Sequence, residues 1–484
     1  MSEAVRNLEP KALWNHFADL NAVPRPSKKE ERVIQFMVDF GKSLGLDTQV
    51  DHIGNVIIKK PASKGFEDKT PIVMQSHLDM VHQKNNDTVF DFDTEGIRMM
   101  VEGDWVKADG TTLGADNGIG VATIMALLAS TDIDHPAIDA LFTIDEETGM
   151  TGALELKGGM ISGKILLNLD TEDDNELTIG CAGGVDVTAS GSYDEESLEG
   201  EFVGLQITVG GLSGGHSGMD IIKGLGNANK LMNRLLYKSY ERFGLRVAHI
   251  EGGGLRNAIP RESVSIVALP ENQDEAFVQH IENFSLAVAE ELGTTDPDFK
   301  VKVQKVNAPE LVMNEDDQDL ILAALYACPN GIHRMSPDIE GLVQTSNNLA
   351  RVEIKEGEFK ALCLTRSSSE TEKEDQALSI EAAFMATGAV VELSGDYPGW
   401  QPRPGSPVVS MMSDLYEEMF KEKAHVMACH AGLECGILGT NYPEMDMVSF
   451  GPNIRGAHSP DERVQISSVQ KFWSYLLEAL KRVN

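Results

Sequence analysis

The sequence has few cysteines and no long hydrophobic run. Its 484 residues include five cysteines, and no two of them form a CxxC pair. A disulfide framework is therefore not expected, and reduced thiols in the cytoplasm fit this usage better. No segment approaches the roughly 18 apolar residues of a membrane span, and the start, MSEAVRNLEP, lacks the basic and apolar regions of a signal peptide. These absences predict a soluble cytoplasmic protein.

Positive charge is also scarce. Lys and Arg number 41 against 76 Asp and Glu, which gives a net charge of -35. Because phosphate groups are bound by basic surfaces, neither nucleic acid nor an anionic membrane is an expected partner. Most of the acidic residues are expected to form a solvated surface, and a minority to bind metal.

The order of helices and strands predicts two domains, one inserted into the other. In residues 1–186, short apolar runs alternate with helices such as the one at about 117–130, which predicts an α/β domain with a mostly parallel sheet covered by helices on both faces. Residues 187–398 contain an order of helices and strands that recurs from about residue 310. They are interpreted as an inserted α+β lid and dimerisation domain made of two similar halves, and 399–484 as the completion of the first domain.

Three apolar runs of the first domain end in side chains that can bind a metal ion. His77 and Asp79 end PIVMQSHLDM, Glu146 and Glu147 follow LFTI, and Asp170 ends ILLNL. Ligands in parallel sheets gather at the carboxyl ends of the strands, so these residues are expected to meet. A solvated acidic turn is the alternative for the DEET segment. A set of nitrogen and oxygen ligands suits zinc, manganese or cobalt.

The sequence resembles a known family through five motifs in order: SHLDM, GADNGIG, IDEETGM, NLDTED and GAHSPDE. They resemble the co-catalytic dinuclear zinc peptidases and deacylases related to bacterial carboxypeptidases, acylases and tripeptide aminopeptidases. The longer phrases HLDMVHQKN, GLSGGHSGMDI, GGGLRNAIPRE and HAGLECGI resemble one branch, the cytosolic aminoacyl-histidine (Xaa-His, or carnosinase-like) dipeptidases.

The resemblance implies two divalent metal ions per subunit and their ligands. His77 and Asp170 would hold one ion, Glu147 and His458 the other, and Asp116 would bridge both. The ions are expected to be zinc, with manganese or cobalt as alternatives. The resemblance also implies a cis peptide bond after Asp116.

Two carboxylates of the same motifs have implied catalytic roles. Glu146 would be the general base, which takes a proton from the metal-bridged water and passes it to the leaving amine. Asp79 would orient the imidazole of His77, as metal-bound histidines generally require.

The inserted domain supplies further candidates for substrate binding. GGLSGGHSGMD lacks the lysine of a phosphate-binding loop, so its glycines are expected to present His216, which the resemblance places at the oxyanion of its own or a partner's active site. Asn257 is implied as a companion contact. Arg366 is a candidate for the substrate carboxylate, because its planar fork suits that group. Glu434, in HAGLECGI, is a candidate for the substrate amine.

The sequence thus predicts a cytoplasmic metallo-dipeptidase acting on short peptides, with Xaa-His dipeptides such as β-Ala-His implied by the branch. A tripeptide aminopeptidase or an N-acyl amino-acid deacylase on the same scaffold is the alternative. A non-catalytic binding protein is a third interpretation, which the presence of Glu146 and every implied metal ligand disfavours. The resemblance implies a homodimer.

Overall fold

The computed structural model describes residues 2–483, which form two compact units. The first unit comprises the chain up to Gly180, Pro402–Ala428 and the chain from Leu433 onward. The second comprises Cys181–Gln401 and Cys429–Gly432. The sequence-based limits after residues 186 and 398 differ slightly, because the strand Gly183–Ser192 belongs to the sheet of the second unit.

The first unit is built on an eight-stranded sheet. Its four central strands run parallel, side by side in the order Ile138–Thr143, Ile72–His77, Ile165–Asn168 and Asp446–Ser449. The outer strands are Asp47–Val50 and Val56–Lys60 on one side and Glu176–Cys181 and His425–Cys429 on the other. Every residue of the first two central strands is buried, as expected for strands covered on both faces. The predicted α/β fold with a mostly parallel sheet is confirmed at the centre of the sheet, and antiparallel pairs lie at its margins.

The helices of the first unit include the one predicted at about 117–130. In chain order they are Ser2–Arg6, Lys11–Leu20, Glu31–Ser43, Ala115–Ala129, Glu146–Gly149, Thr151–Glu155, Pro407–Phe420, Glu434–Asn441 and Ile466–Arg482. The last helix buries Val469, Phe472, Leu476 and Leu480, which recur every three or four residues and so form one apolar side. Across residues 2–483, each helix is too short or too polar to span a bilayer.

A small antiparallel sheet in the first unit joins segments that are distant in the sequence. Its strands are, in order, Ile454–Arg455, Arg463–Gln465, Trp105–Ala108 and Met99–Glu102. The loop between the first two strands carries His458, and the chain after the third leads to Asp116. The sheet therefore brings these two segments together.

The second unit is a nine-stranded antiparallel sheet with long helices. The strand order is Lys300–Val306, Phe202–Gly210, Ser263–Pro270, Arg246–Gly253, Val343–Lys355, Glu358–Ser367, Gly183–Ser192 and Val390–Tyr397, with Gly331–Met335 also paired to Val343–Lys355. The helices are Ala228–Phe243, Asp274–Glu291, Glu315–Ala327 and Glu370–Phe384, with short 3-10 helices at Ile221–Lys223, Glu271–Gln273 and Met385–Thr387. Two short ladders pair Glu195–Ser197 with Leu311–Met313 and Gly215–His216 with Ala258–Ile259.

The second unit contains the same order of elements twice. A helix, two paired strands, a second helix and an outer strand follow one another from Ala228 to Val306, and again from Glu315 to Tyr397. The predicted α+β architecture of two similar halves is therefore confirmed.

Candidate active site

Three parallel strands of the first unit bring metal-competent side chains to one edge of the sheet. His77 is the last residue of its strand, Asp170 follows the neighbouring strand, and Glu146 and Glu147 begin the helix after a third. The carboxyl ends of adjacent parallel strands lie together, so these side chains converge. The distance from His77 Nε2 to Asp170 Oδ1 is 3.6 Å.

Asp116 lies between two histidines of the first unit. It stands at the start of Ala115–Ala129, where its peptide bond to Asn117 is cis, as the resemblance implies. Its Oδ1 is 3.1 Å from His77 Nε2, and its Oδ2 is 3.1 Å from His458 Nε2. Two oxygens that face two different imidazoles are arranged as in a bridging carboxylate of a two-metal site.

The ligand-competent atoms form two groups that share Asp116. His77, Asp116 and Asp170 each offer an atom within 4.8 Å of the others, and Asp116, Glu147 and His458 do the same. Glu147 Oε2 is 2.9 Å from His458 Nε2, while Glu147 Oε1 is buried without a hydrogen-bond partner. A buried carboxylate oxygen without a donor, among nitrogen and oxygen atoms that converge, suits a divalent cation. The residues present therefore fit the implied metal ions.

Asp79 links His77 to the helix that carries the two glutamates. Its Oδ1 accepts the backbone N–H of Glu146 at 3.0 Å, and its Oδ2 accepts the N–H of Glu147 at 3.2 Å and the hydroxyl of Ser27 at 2.8 Å. His77 Nδ1 is 3.4 Å from Asp79 Oδ1 and 3.1 Å from the Asp79 carbonyl oxygen. Both neighbours are acceptors, so Nδ1 carries the proton and Nε2 is free to bind a metal ion.

Burial and crowded negative charge shift the pKa values of this cluster. Burial raises the pKa of Glu146 to about 8, aided by the surrounding carboxylates, and raises the pKa of Asp170 well above its usual range. Hydrogen bonds to Asp116 and Glu147 raise the pKa of His458 to about 11. The cluster therefore favours bound protons, or the metal cations that would replace them.

Glu434 lies within electrostatic reach of the same cluster and adds to the raised pKa of Glu146. The glutamate is 1% exposed, and its Oε2 accepts hydrogen bonds from Gln75 at 2.6 Å and Thr143 at 2.7 Å. Its Oε1 is buried without a partner. Burial raises the pKa of Glu434 to about 7. This oxygen can accept a hydrogen bond from a ligand such as an amine.

His216 and Asn257 lie next to each other in the second unit. His216 belongs to the ladder of Gly215–His216 with Ala258–Ile259, and the carbonyl oxygen of Asn257 accepts the N–H of Ser217 at 2.8 Å. His216 Nδ1 is 3.1 Å from the backbone nitrogen of Met219, whose N–H it accepts. Burial lowers the pKa of His216, and the charge of Arg366 lowers it further. The ring is therefore neutral, with a proton on Nε2 that can be donated to an oxygen.

Arg366 is a buried cation of the second unit. Its side chain lies in Glu358–Ser367, and the residue is 5% exposed. The guanidinium donates from Nη1 to the hydroxyl of Tyr397 at 2.7 Å, whereas Nε has no hydrogen-bond partner. The carboxylate of Asp186 lies within electrostatic reach of Arg366 but is paired with Arg256 Nε at 3.2 Å. Arg366 Nε thus keeps an unused donor in a buried, positively charged site, so an anionic ligand is expected there.

A family comparison agrees with this arrangement of residues. The model of peptidase family M20/M25/M40 matches residues 73–482. The chain belongs to this family. All five candidate metal ligands of this M20 peptidase, from His77 to His458, lie within the matched region. The M20 chain is a metal-dependent peptidase with clusters of residues that can hold metal ions.

Two relatives resemble this M20 peptidase over its full length. The cytosol non-specific dipeptidase of Escherichia coli (strain K12) is 40% identical over 483 residues, which are 100% of this chain and 99% of the relative. The crystal structure of the aminoacylhistidine dipeptidase from Vibrio alginolyticus gives a TM-score of 0.95 with 43% identity, covering 100% of this chain and 99% of that one. Aminopeptidase PepT from Bacillus cereus ATCC 10987 shares the fold, with a TM-score of 0.58 and 16% identity over 98% of this chain and 99% of that one.

Two residues that shape the site of this M20 peptidase were not predicted from the sequence. The carboxylate of Glu462 accepts four consecutive backbone N–H groups, from Leu113 to Asp116, at 2.7 to 3.2 Å. Arg25, 1% exposed, donates to the carbonyl oxygens of Leu78, Asp79 and Gly114. Both fix the backbone beside the ligands. Glu462 belongs to the GAHSPDE motif, which could have indicated it as a site residue. Arg25 lies outside the five motifs, so the sequence did not indicate it.

Proposed function

We propose that this M20 peptidase is a metallo-dipeptidase that hydrolyses short peptides, with Glu146 as the general base. The observation that carries the proposal is the position of Asp116 between His77 and His458, with Glu146 next to His77. The names of the two full-length relatives, both dipeptidases, support the reaction. The name of the Escherichia coli relative supports a cytoplasmic location.

Two divalent cations per subunit are part of the proposal. His77 and Asp170 would hold one and Glu147 and His458 the other, with Asp116 shared between them. Zinc suits this ligand set best, and manganese or cobalt are alternatives. When bound, such ions lower the pKa of water and polarise a peptide carbonyl group.

Glu146 transfers the proton in the proposed reaction. Its carboxylate takes a proton from the attacking water and gives it to the leaving amine. Burial raises its pKa to about 8, and nearby cations would lower it from there, which suits a group that first accepts a proton and then returns it. Asp79 orients His77 and, through the backbone N–H group of Glu146, holds the start of the catalytic helix.

Four side chains are proposed to bind the substrate. Arg366 binds its C-terminal carboxylate, and Glu434 binds its amine through the carboxylate oxygen that lacks a partner. His216 donates its Nε2 proton to the oxyanion that develops during hydrolysis, with Asn257 as a companion contact. The partnerless oxygen of Glu434, which can accept from a free amine, supports a peptidase rather than an N-acyl amino-acid deacylase. Xaa-His dipeptides such as β-Ala-His are the proposed substrates, following the aminoacylhistidine dipeptidase.

The roles of the two domains are also part of the proposal. Residues 1–186 and 399–484 form the catalytic domain, and residues 187–398 form the lid and dimerisation domain of a homodimer. Sedimentation of the purified protein tests the dimer.

Hydrolysis by metal-reconstituted protein tests the function. Metal-free protein receives zinc, manganese or cobalt and is assayed on β-Ala-His, an unmodified tripeptide and an N-acetyl amino acid. We expect metal-dependent cleavage of the dipeptide to be fastest. Faster cleavage of the tripeptide or the acetylated substrate supports the aminopeptidase or deacylase alternative, and metal-independent cleavage contradicts the proposal. A dipeptide library then measures the preference for histidine.

A further inference from the structure

Three adjacent strands of the second unit place Gly184, Arg366 and Tyr397 in one row across the sheet. Gly184 pairs with Arg366 on one side and with Tyr397 on the other. Residues directly opposite each other on neighbouring strands point to the same face of a sheet. Arg366 and Tyr397 therefore share a face, with a glycine between them.

The missing side chain of Gly184 lets the two long side chains meet. A Cβ atom at Gly184 would lie 2.7 Å from the ring and hydroxyl of Tyr397, so only glycine leaves room for the ring. The Tyr397 hydroxyl accepts a hydrogen bond from Arg366 Nη1 at 2.7 Å. The register of the outer strand shifts between Ser394 and Tyr397, where Gly395 has a φ of +57°. A register shift of this kind, a β-bulge, changes the direction in which a nearby side chain points.

The hydrogen bond of this pair involves neither the Tyr397 hydroxyl proton nor the Nε proton of Arg366. The oxygen of Tyr397 accepts from Arg366, so its own hydroxyl proton needs a different acceptor. Arg366 Nε is buried without a hydrogen-bond partner. A phenol proton and a guanidinium proton side by side match the two oxygens of a carboxylate, and the nearby carboxylate of Asp186 is already paired with Arg256.

We propose that Tyr397 is a specificity-determining residue that donates its hydroxyl proton to the terminal carboxylate of the peptide, beside Arg366. The inference rests on the proposed function, in which Arg366 binds this carboxylate. Tyr397 thereby adds selection for a free C-terminus, because a C-terminal amide offers a single, uncharged acceptor oxygen where the carboxylate offers two charged ones.

The substitution Tyr397→Phe tests the role of the hydroxyl. It removes one oxygen and keeps the ring over Gly184. Metal-reconstituted enzyme is assayed on β-Ala-His and on its C-terminal amide, and the ratio of the two kcat/KM values is compared. We expect this ratio to fall by roughly tenfold to a hundredfold, through a higher KM for the acid with little change in kcat, because a charge-assisted hydrogen bond is lost.

Tyr193→Phe is the matched control in the same unit. The Tyr193 hydroxyl is also buried but has no hydrogen-bond partner and lies outside the row of three residues. Its removal should leave the acid-to-amide ratio unchanged. Gly184→Ala is a second variant, in which the added methyl group displaces the Tyr397 ring and should lower the ratio as well. Thermal unfolding shows that each variant is folded.

The outcomes separate the inference from the proposed function. A wild-type preference for the acid that persists in Tyr397→Phe overturns the inference alone and leaves the tyrosine as a structural partner of Arg366. A wild-type enzyme that cleaves acid and amide equally overturns both the carboxylate role of Arg366 and the role of Tyr397. A ratio that falls in Tyr397→Phe but not in Tyr193→Phe supports both.

Discussion

The two groups of candidate residues carry opposite charge. In the first unit, Asp116 and its neighbouring carboxylates outnumber the imidazoles. In the second unit, Arg366 lies within electrostatic reach of the neutral rings of His216 and His430, and the nearby carboxylate of Asp186 is paired with Arg256. Buried charge of one sign is costly without a counterion. Each group therefore indicates the missing ligand: divalent cations in the first unit and a carboxylate in the second.

The largest expected effect on hydrolysis is that of removing the proposed general base, Glu146, from the first unit. Glu146→Gln keeps the shape of the side chain but cannot accept a proton, so hydrolysis should fall by about 10³- to 10⁴-fold. Elemental analysis should find unchanged metal content, because Glu146 is not among the proposed ligands. Steady-state kinetics measure the loss.

Glu155→Gln is the matched control for this variant. Glu155 is an exposed residue on the following short helix, and its charge should not matter for turnover. Near-normal hydrolysis by Glu146→Gln would show that another group accepts the proton. Loss of metal from Glu146→Gln would show that this residue is a ligand.

The second-largest expected effect comes from removing one of the proposed metal ligands, His458. His458→Ala removes a nitrogen that faces both Asp116 and Glu147, so one of the two ions should be held weakly. We expect about half the metal content and a loss of more than about a hundredfold in kcat/KM. Even the loss of a group that only hydrogen-bonds to a metal ligand lowers metal affinity or activity by about 10- to 100-fold. His52→Ala, at a half-exposed histidine paired with Glu155, is the control. Full metal content in His458→Ala would contradict the ligand assignment.

A smaller effect on hydrolysis is expected from replacing Arg366 in the second unit. Arg366→Lys keeps the charge but loses the planar fork and the bond to Tyr397. KM for a dipeptide should rise by roughly tenfold to a hundredfold while kcat changes little. Arg334→Lys, at an exposed arginine paired with Glu372 in the same unit, is the control. An unchanged KM in Arg366→Lys would show that the carboxylate binds elsewhere.

The sequence predicted best the functional residues that stand at the end of a buried strand. Apolar runs revealed the central strands, and His77, Glu147 and Asp170 stand directly after those runs, so the topology of a parallel sheet brings them together. Asp116 and His458 follow no strand of that kind. Only the resemblance of their motifs singled them out.

Residues whose roles depend on long-range backbone contacts could not be predicted. Glu462 binds the N–H group of Asp116, 346 residues away, and nothing local marks such a contact. Tyr397 meets Arg366 only because Gly184 separates them in a particular register. The partners of the outer strands in the first sheet could not be predicted either, since strand pairing is decided by tertiary contacts.

The smallest expected effect is on the stability of the metal-free protein. The pKa of Glu434 is raised by burial to about 7, whereas an unfolded glutamate has a pKa of about 4.3. The folded state therefore holds an extra proton between these values, and its stability falls as the pH rises from about 4.3 to about 7. Glu434→Gln removes this dependence, so without metal its thermal midpoint should exceed that of the wild type by a few degrees at pH 8. Glu444→Gln, at an exposed acid, should show no such gain. Added zinc should reduce the difference, because nearby cations favour the charged carboxylate that the wild type retains; a gain that persists unchanged in zinc would mean that the metal ions bind away from Glu434.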